Sequence, residues 1–136
     1  MAFQTSIAVR FGDVDHAGIL YYPRYYIYFH DCFENLFDQS AISYVDLIDR
    51  RRVGFPTVHI ESDHKAPMRW GDTLDVTVTV PRLGERSATC HYLGRRRRDG
   101  ALAVEAKITV ACIDLDTFEA RAIPDDVRAL FGCIAS

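Results

Sequence analysis

From residue 22 to residue 36, large apolar side chains return every three or four positions: Tyr22, Tyr25, Phe29, Cys32, Phe33 and Leu36. That spacing lays one broad stripe along an α-helix, and Asp31, Glu34, Asn35 and Asp38 fall on the opposite side. Pro23 suits the first turn, where its missing N–H leaves no helical bond unmade. At ~1.5 Å per residue, positions 23–39 predict a rod about 25 Å long. Most of the stripe is aromatic. A helix with so bulky a face has to be enclosed, and the rest of the chain reads as strands able to enclose it.

Residues 3–11 alternate, with Phe3, Ile7, Val9 and Phe11 on one side and Gln4, Ser6, Ala8 and Arg10 on the other. The cleanest period-two signal is Leu74, Val76, Val78 and Val80 against Thr73, Asp75, Thr77 and Thr79. Ala88, Cys90 and Tyr92 give 86–95 one apolar face, Asp99-Gly100 is a hairpin turn, and Leu102 to Cys112 continues the alternation to Asp114. Residues 57–65 are extended but polar, which predicts an edge strand or one facing a ligand. Shorter helices are expected over 43–52 and 125–133, with a short extended piece at 121–124. One strand, a long helix and a run of antiparallel strands make an α+β chain, with the sheet curled around residues 23–39.

At 136 residues the chain is expected to form one domain with a sizeable core. It contains no apolar run long enough for a membrane span and no basic segment leading into an apolar block, so neither a span nor a secretory signal is read. Cys32, Cys90, Cys112 and Cys133 form no C-x-x-C pair and are read as buried thiols of a reducing compartment, the cytoplasm. A net charge of −3 argues against nucleic-acid or anionic-membrane partners. Seven of the sixteen basic residues nevertheless sit in Arg50-Arg51-Arg52 and Arg95-Arg96-Arg97-Arg98. Local phosphate sites and solvated loop charge are the two readings of these tracts, and loop charge is the plainer one.

Between the first strand and the helix runs Asp13-Val14-Asp15-His16-Ala17-Gly18-Ile19-Leu20. It holds Asp15 within one short loop of a helix N-terminus, whose unpaired N–H groups and partial positive charge suit a developing oxyanion. An aspartate is a mediocre general base but a competent nucleophile towards an activated carbonyl. Taken alone, Asp13 and Asp15 read equally as turn-forming or capping carboxylates. Metal chemistry is disfavoured: His59 and His64 are an odd number of residues apart on a strand and face opposite sides, and no H-E-x-x-H or cysteine knuckle exists. Cys90 and His91 point apart for the same reason, and there is no G-x-S-x-G elbow or P-loop.

The run from Phe11 through Asp13-Val14-Asp15-His16-Ala17-Gly18 to Tyr21-Tyr22-Pro23 resembles the D-x-D-x-x-G signature of hotdog-fold acyl-CoA thioesterases of the 4-hydroxybenzoyl-CoA thioesterase type. The likeness extends to Ala66-Pro67, Gly71-Asp72 and Arg121-Ala122-Ile123-Pro124, and so covers nearly the whole chain. It implies a hotdog fold, a five- to six-stranded antiparallel sheet wrapped on a long central helix. Homodimers that pair sheets edge to edge, often as dimers of dimers with active sites between subunits, are implied as well. By the same likeness Asp15 is the catalytic carboxylate, the backbone N–H of Tyr22 holds the thioester oxygen, and Gly18 lets the backbone approach the acyl group. Asp13 stays structural, bonding loop amides.

The substrate-binding candidates are His16, Ile19, Tyr21, His30 and Arg86. His30 stands where the 4-hydroxybenzoyl members carry a carboxylate, and Arg86, opposed by Glu85, is the one basic residue of the region where the family holds CoA phosphate. The expectation is hydrolysis of a CoA thioester, aryl or short- to medium-chain, without metal or cofactor. A non-catalytic acyl-CoA-binding module is the alternative. A hotdog dehydratase would need an Asp and His pair acting on Cα–Cβ, and no helix-borne pair of that kind is evident.

Overall fold

A computed structural model describes residues 1–136. Strand β1 (Phe3–Ala8) leads through a 3-10 turn (Phe11–Asp13) and a loop into helix α1 (Pro23–Asp38). A short helix α2 (Tyr44–Asp49) and strand β2 (Val53–Gly54) precede β3 (Thr57–His64), β4 (Thr73–Leu83), β5 (Ser87–Arg96) and β6 (Leu102–Ala111). Strand β7 (Ile113–Asp114) pairs with β2, and α3 (Asp125–Gly132) closes the chain. The main sheet is five-stranded and antiparallel, in the order β1-β4-β5-β6-β3.

Leu74, Val76, Val78 and Val80 of β4 are buried, as are Ala88, Cys90 and Tyr92 of β5 and Val104, Ala106, Ile108 and Val110 of β6. Their threonine and charged neighbours face outwards, so the period-two pattern set the register. Gly94 continues the inner face of β5, where a Cβ would come within 2.7 Å of Val104 Cγ1 and 3.0 Å of Leu74 Cδ1. From α1, Phe29 stacks on Tyr92 of β5 with ring centroids 4.8 Å apart. At the other end of the helix Phe33 and Phe37 meet Tyr44 and Phe131, which brings α2 and α3 onto the same core.

Several details depart from the sequence expectation. The buried stripe of α1 contains Tyr28 and Phe37, while Tyr22 lies outside the helix with its side chain 62% exposed. Phe11 leaves β1 for the 3-10 turn and is exposed, stacked edge-on against Trp70. Cys133 is exposed, because it follows the last turn of α3. Cys32 and Cys90 are buried, and that burial lifts their thiols to about 11 and about 12, far from the reactive thiolate.

Two consequences of the topology position the site. Strand β3 hydrogen-bonds only to β6, and its other edge is open, with Val58 and Ile60 exposed. The register also gathers Ala8, Thr73, Arg96, Leu102 and His64 at one end of the sheet and Leu83, Ser87, Ala111 and Thr57 at the other. The loop carrying Asp15 leaves from the first end. No helix is long and apolar enough to cross a membrane.

Candidate active site

Asp13 anchors the loop. Its Oδ2 accepts hydrogen bonds from the Arg10 amide at 3.3 Å and the Tyr28 hydroxyl at 2.5 Å, and its Oδ1 lies 3.7 Å from Arg24 Nε. Burial, reinforced by that carboxylate, raises the Tyr28 phenol above its ordinary range and keeps it a donor. Asp13 therefore ties the entry turn to the second turn of α1. Asp13→Ala leaves the half-buried Tyr28 hydroxyl without its partner and is expected to lower stability by about 1–3 kcal/mol, read from the urea midpoint. An unchanged midpoint contradicts the anchoring role.

Beyond the anchor the loop folds back on itself. The Tyr21 amide donates to Asp13 O and the Asp15 amide to Ile19 O, both at 2.9 Å. Gly18 donates to Asp15 O at 2.9 Å and takes φ +79°, a left-handed conformation that excludes most side chains. A Cβ at Gly18 would meet nothing within 4 Å, so within the chain it is the backbone angle that requires glycine. The Ala17 amide donates to Asp15 Oδ1 at 2.8 Å. Asp15 is thus a turn-forming carboxylate, but with one oxygen only; Oδ2 accepts no bond from within the chain.

The same folding decides which amides remain free. Those of Asp15, Ala17, Gly18, Leu20, Tyr21, Arg24 and Tyr25 all donate within the chain, and Pro23 has no N–H. Tyr22, the residue capping α1, donates to nothing. Its N–H therefore stands at the positive end of a 16-residue helix with no acceptor of its own.

Beside that amide opens a cavity of about 320 Å³. Ile19, Leu20 and Tyr22 line it from the loop, Tyr25 from α1, and residues 64–68 from the segment after β3. Leu20 holds the two sides together through its 2.7 Å bond to Met68 O. Asp15 is half-buried; it does not line the cavity but is bonded through its backbone to Ile19, which does.

A model described as the thioesterase-like superfamily matches residues 9–131. The chain belongs to the thioesterase-like superfamily. On that membership it is a thioester hydrolase. Among curated proteins it is similar to a 1,4-dihydroxy-2-naphthoyl-CoA hydrolase from Nostoc punctiforme, 29% identical over 129 residues, which span 93% of this chain and 84% of that one. It is also similar to an acyl-CoA thioesterase from Haemophilus influenzae, 24% identical over 95% of this chain and 93% of the other. A solved 1,4-dihydroxy-2-naphthoyl-CoA thioesterase from Synechocystis superposes with a TM-score of 0.91, covering 100% of this chain and 99% of that one at 22% identity, and so shares the hotdog fold.

In this thioesterase-like chain the remaining candidates are dispersed. His16 and Tyr21 are exposed on the same loop, and Tyr21 packs edge-on against Tyr22. His30 is exposed one helical flank away, 2.9 Å from Glu34 Oε1, and lines a separate, smaller cavity with Phe33, Phe55 and Tyr92. Arg86 is exposed on the β4–β5 hairpin at the far end of the sheet, so a single chain does not unite it with Asp15. Tyr25, one of the aromatics that the sequence places near the site but counts first as core, and His64, which it does not count among the site residues, both line the 320 Å³ cavity. Tyr25 falls on the apolar stripe and reads as core, and His64 drew notice only as a failed metal ligand.

The arginine tracts are bound internally. Arg96 donates to Asp99 and to Pro67 O, Arg97 to Asp75, Arg98 to Asp72, and Arg50, Arg51 and Arg52 to Asp46, Asp126 and Asp116. Arg96 and Arg97 hold Asp99 and Asp75 below the ordinary carboxylate range. Arg96 and Arg98 in particular brace the 67–72 segment, whose first two residues, Pro67 and Met68, line the cavity.

Proposed function

We propose that this protein hydrolyses acyl-CoA thioesters to a carboxylic acid and free CoA, with Asp15 as the reacting carboxylate and the Tyr22 N–H as the oxyanion donor. The observation that supports this reading is that the amide capping the long helix α1 has no acceptor and lies on a residue lining the cavity, while Asp15, with one uncommitted oxygen, is bonded to Ile19 of the same lining. An acyl oxygen on the Tyr22 amide gains a preorganised donor as it becomes an oxyanion. Asp15 Oδ2 can then attack the acyl carbon, the C–S bond breaks with its electrons leaving on sulfur, and water cleaves the resulting anhydride to regenerate the carboxylate. Alternatively Asp15 takes a proton from the attacking water. CoA thiolate is a good leaving group, so neither route needs a dedicated acid for sulfur. The curated relatives named above, acting on aryl and other acyl-CoA thioesters, support CoA as the carrier and leave both aryl and short- to medium-chain acyl groups open.

The open edge of β3 favours a second copy in the same role. Antiparallel pairing of two β3 strands sets the Thr57 end of one against the His64 end of the other. That carries Arg86 of the partner subunit, and His30 of the partner subunit, towards Asp15, giving the two dispersed candidates a way to meet substrate. A light-scattering mass of two or four times the 15.5 kDa chain is expected. A monomer at micromolar concentration contradicts the shared site.

A thiol-reactive dye tests the function. Release of thiol from a panel of aryl- and alkyl-CoA thioesters, and weaker release from acyl-carrier-protein thioesters, is the expected result. Binding of the same thioesters without thiol release favours the non-catalytic acyl-CoA-binding alternative.

A further inference from the structure

Two large rings stand side by side in solvent. Phe11 is 72% and Trp70 64% exposed, and they meet edge-on with centroids 5.2 Å apart. Neither hangs on a loose segment. The Val9 amide donates to Asp72 O at 2.9 Å and the Gly71 amide to Val9 O at 3.2 Å, which pins the turn carrying Trp70 to the residue that follows β1. Asp72 closes that turn by accepting the Arg69 amide at 2.9 Å and is itself held by Arg98 Nε at 2.9 Å. Phe11 opens the 3-10 turn that Asp13 closes with its amide on Arg10 O. Arg10 and Arg69 precede the two rings, and both are exposed. Neither guanidinium forms a hydrogen bond or ion pair within the chain, unlike those of Arg96, Arg97 and Arg98. The patch adjoins the large cavity: Arg69 pairs in an antiparallel bridge with Ile19, and Ile19 and Met68 both line that cavity.

We infer that Phe11 and Trp70, with Arg10 and Arg69, form the subsite for the 3′-phosphorylated adenine nucleotide of CoA. The inference rests on the acyl-CoA reading above and adds to it the groups that hold the carrier. A long pantetheine arm joins the two ends of CoA, so an acyl group inside the cavity leaves the nucleotide on the open surface beyond its wall. Adenine offers two flat faces, which exposed aromatic rings bind by stacking. Phosphate oxygens call for guanidiniums whose donors are not already spent on carboxylates. In a chain of net charge −3, a polyanion needs such a local concentration of free cation. Because both turns are fixed by backbone bonds, the rings are in place before ligand arrives and little order is lost on binding. The same subsite disfavours carrier-protein thioesters, which lack the nucleotide.

Trp70 is the only tryptophan, so its fluorescence reports on the subsite directly. Adenosine 3′,5′-bisphosphate is expected to quench it saturably, and the double variant Arg10→Ala/Arg69→Ala should raise the Kd by about tenfold or more. A second arm compares benzoyl-CoA with benzoyl-pantetheine, by kcat/KM and by the Kd of the matching non-hydrolysable thioethers. The CoA form is expected to be favoured by about tenfold or more in both measurements. Trp70→Ala, or the double arginine variant, should bring that ratio close to one. Absence of saturable quenching, or equal constants for the two carriers in the wild type, overturns the subsite and leaves the thioesterase reading standing. Quenching combined with a carrier ratio that neither variant moves also overturns it, because the patch then holds free nucleotide and not CoA. A variant-sensitive preference between the thioethers, with no thioester hydrolysed, sinks the thioesterase reading instead and keeps the subsite.

Discussion

Asp15→Asn is expected to lower kcat for CoA-thioester hydrolysis by at least about a hundredfold, the scale of a principal catalytic contribution. The choice of asparagine matters. Its side-chain oxygen can still accept the Ala17 amide that Asp15 Oδ1 now holds at 2.8 Å, so the turn and the Gly18 backbone angle survive. What is lost is the anionic second oxygen, which is the nucleophile or base of the proposed reaction. Stability should therefore change by no more than about 0.5 kcal/mol, and KM should move less than kcat. Thiol release by the dye, alongside urea denaturation of the same preparation, separates the two effects. A variant that turns over at the wild-type rate removes Asp15 from the chemistry.

Phe29→Ala is expected to destabilise the protein by about 3–5 kcal/mol. The side chain is fully buried, stacks on Tyr92 of β5, and lies within aromatic contact of Tyr25 and Tyr26. It is the point where the helix stripe meets the sheet's inner face, and truncation leaves a cavity that rigid neighbours cannot close. Against a typical total of about 5–15 kcal/mol, such a loss brings the protein towards its unfolding threshold near room temperature. A urea midpoint equal to that of the wild type contradicts the central place given to this contact.

The fold was legible where side-chain periodicity alone decides the structure. Leu74 to Val80 could only be a strand with one buried face, Asp99-Gly100 could only be a turn, and the aromatic stripe of α1 demanded a cover. The errors lie where periodicity stops. Tyr22 continues the helical spacing by one step too many: it caps α1 rather than belonging to it, and its ring turns to solvent. Tyr28 and Phe37 look peripheral in the sequence but are buried, Tyr28 by its bond to Asp13 and Phe37 by Tyr44 and Phe131 from other elements.

The loop that carries the proposed site was legible in the order of its residues, but its geometry was not. That Asp15 should sit near a helix start follows from the order of the residues. That Tyr22 alone keeps a free amide there does not, since it depends on Asp13 O claiming the Tyr21 N–H. Nor does spacing reveal that Arg86 and Asp15 occupy opposite ends of one sheet, or that the arginine tracts each find carboxylates from distant strands and loops. Those facts are set by register and by long-range pairing, which a linear reading does not contain.

The most direct measurement is a crystal structure with a non-hydrolysable thioether analogue of an acyl-CoA. The acyl oxygen should lie about 3 Å from the Tyr22 nitrogen, with Asp15 Oδ2 facing the carbonyl carbon from the other side. An analogue bound with that oxygen away from Tyr22, or with the carbonyl carbon out of reach of Asp15, contradicts the account.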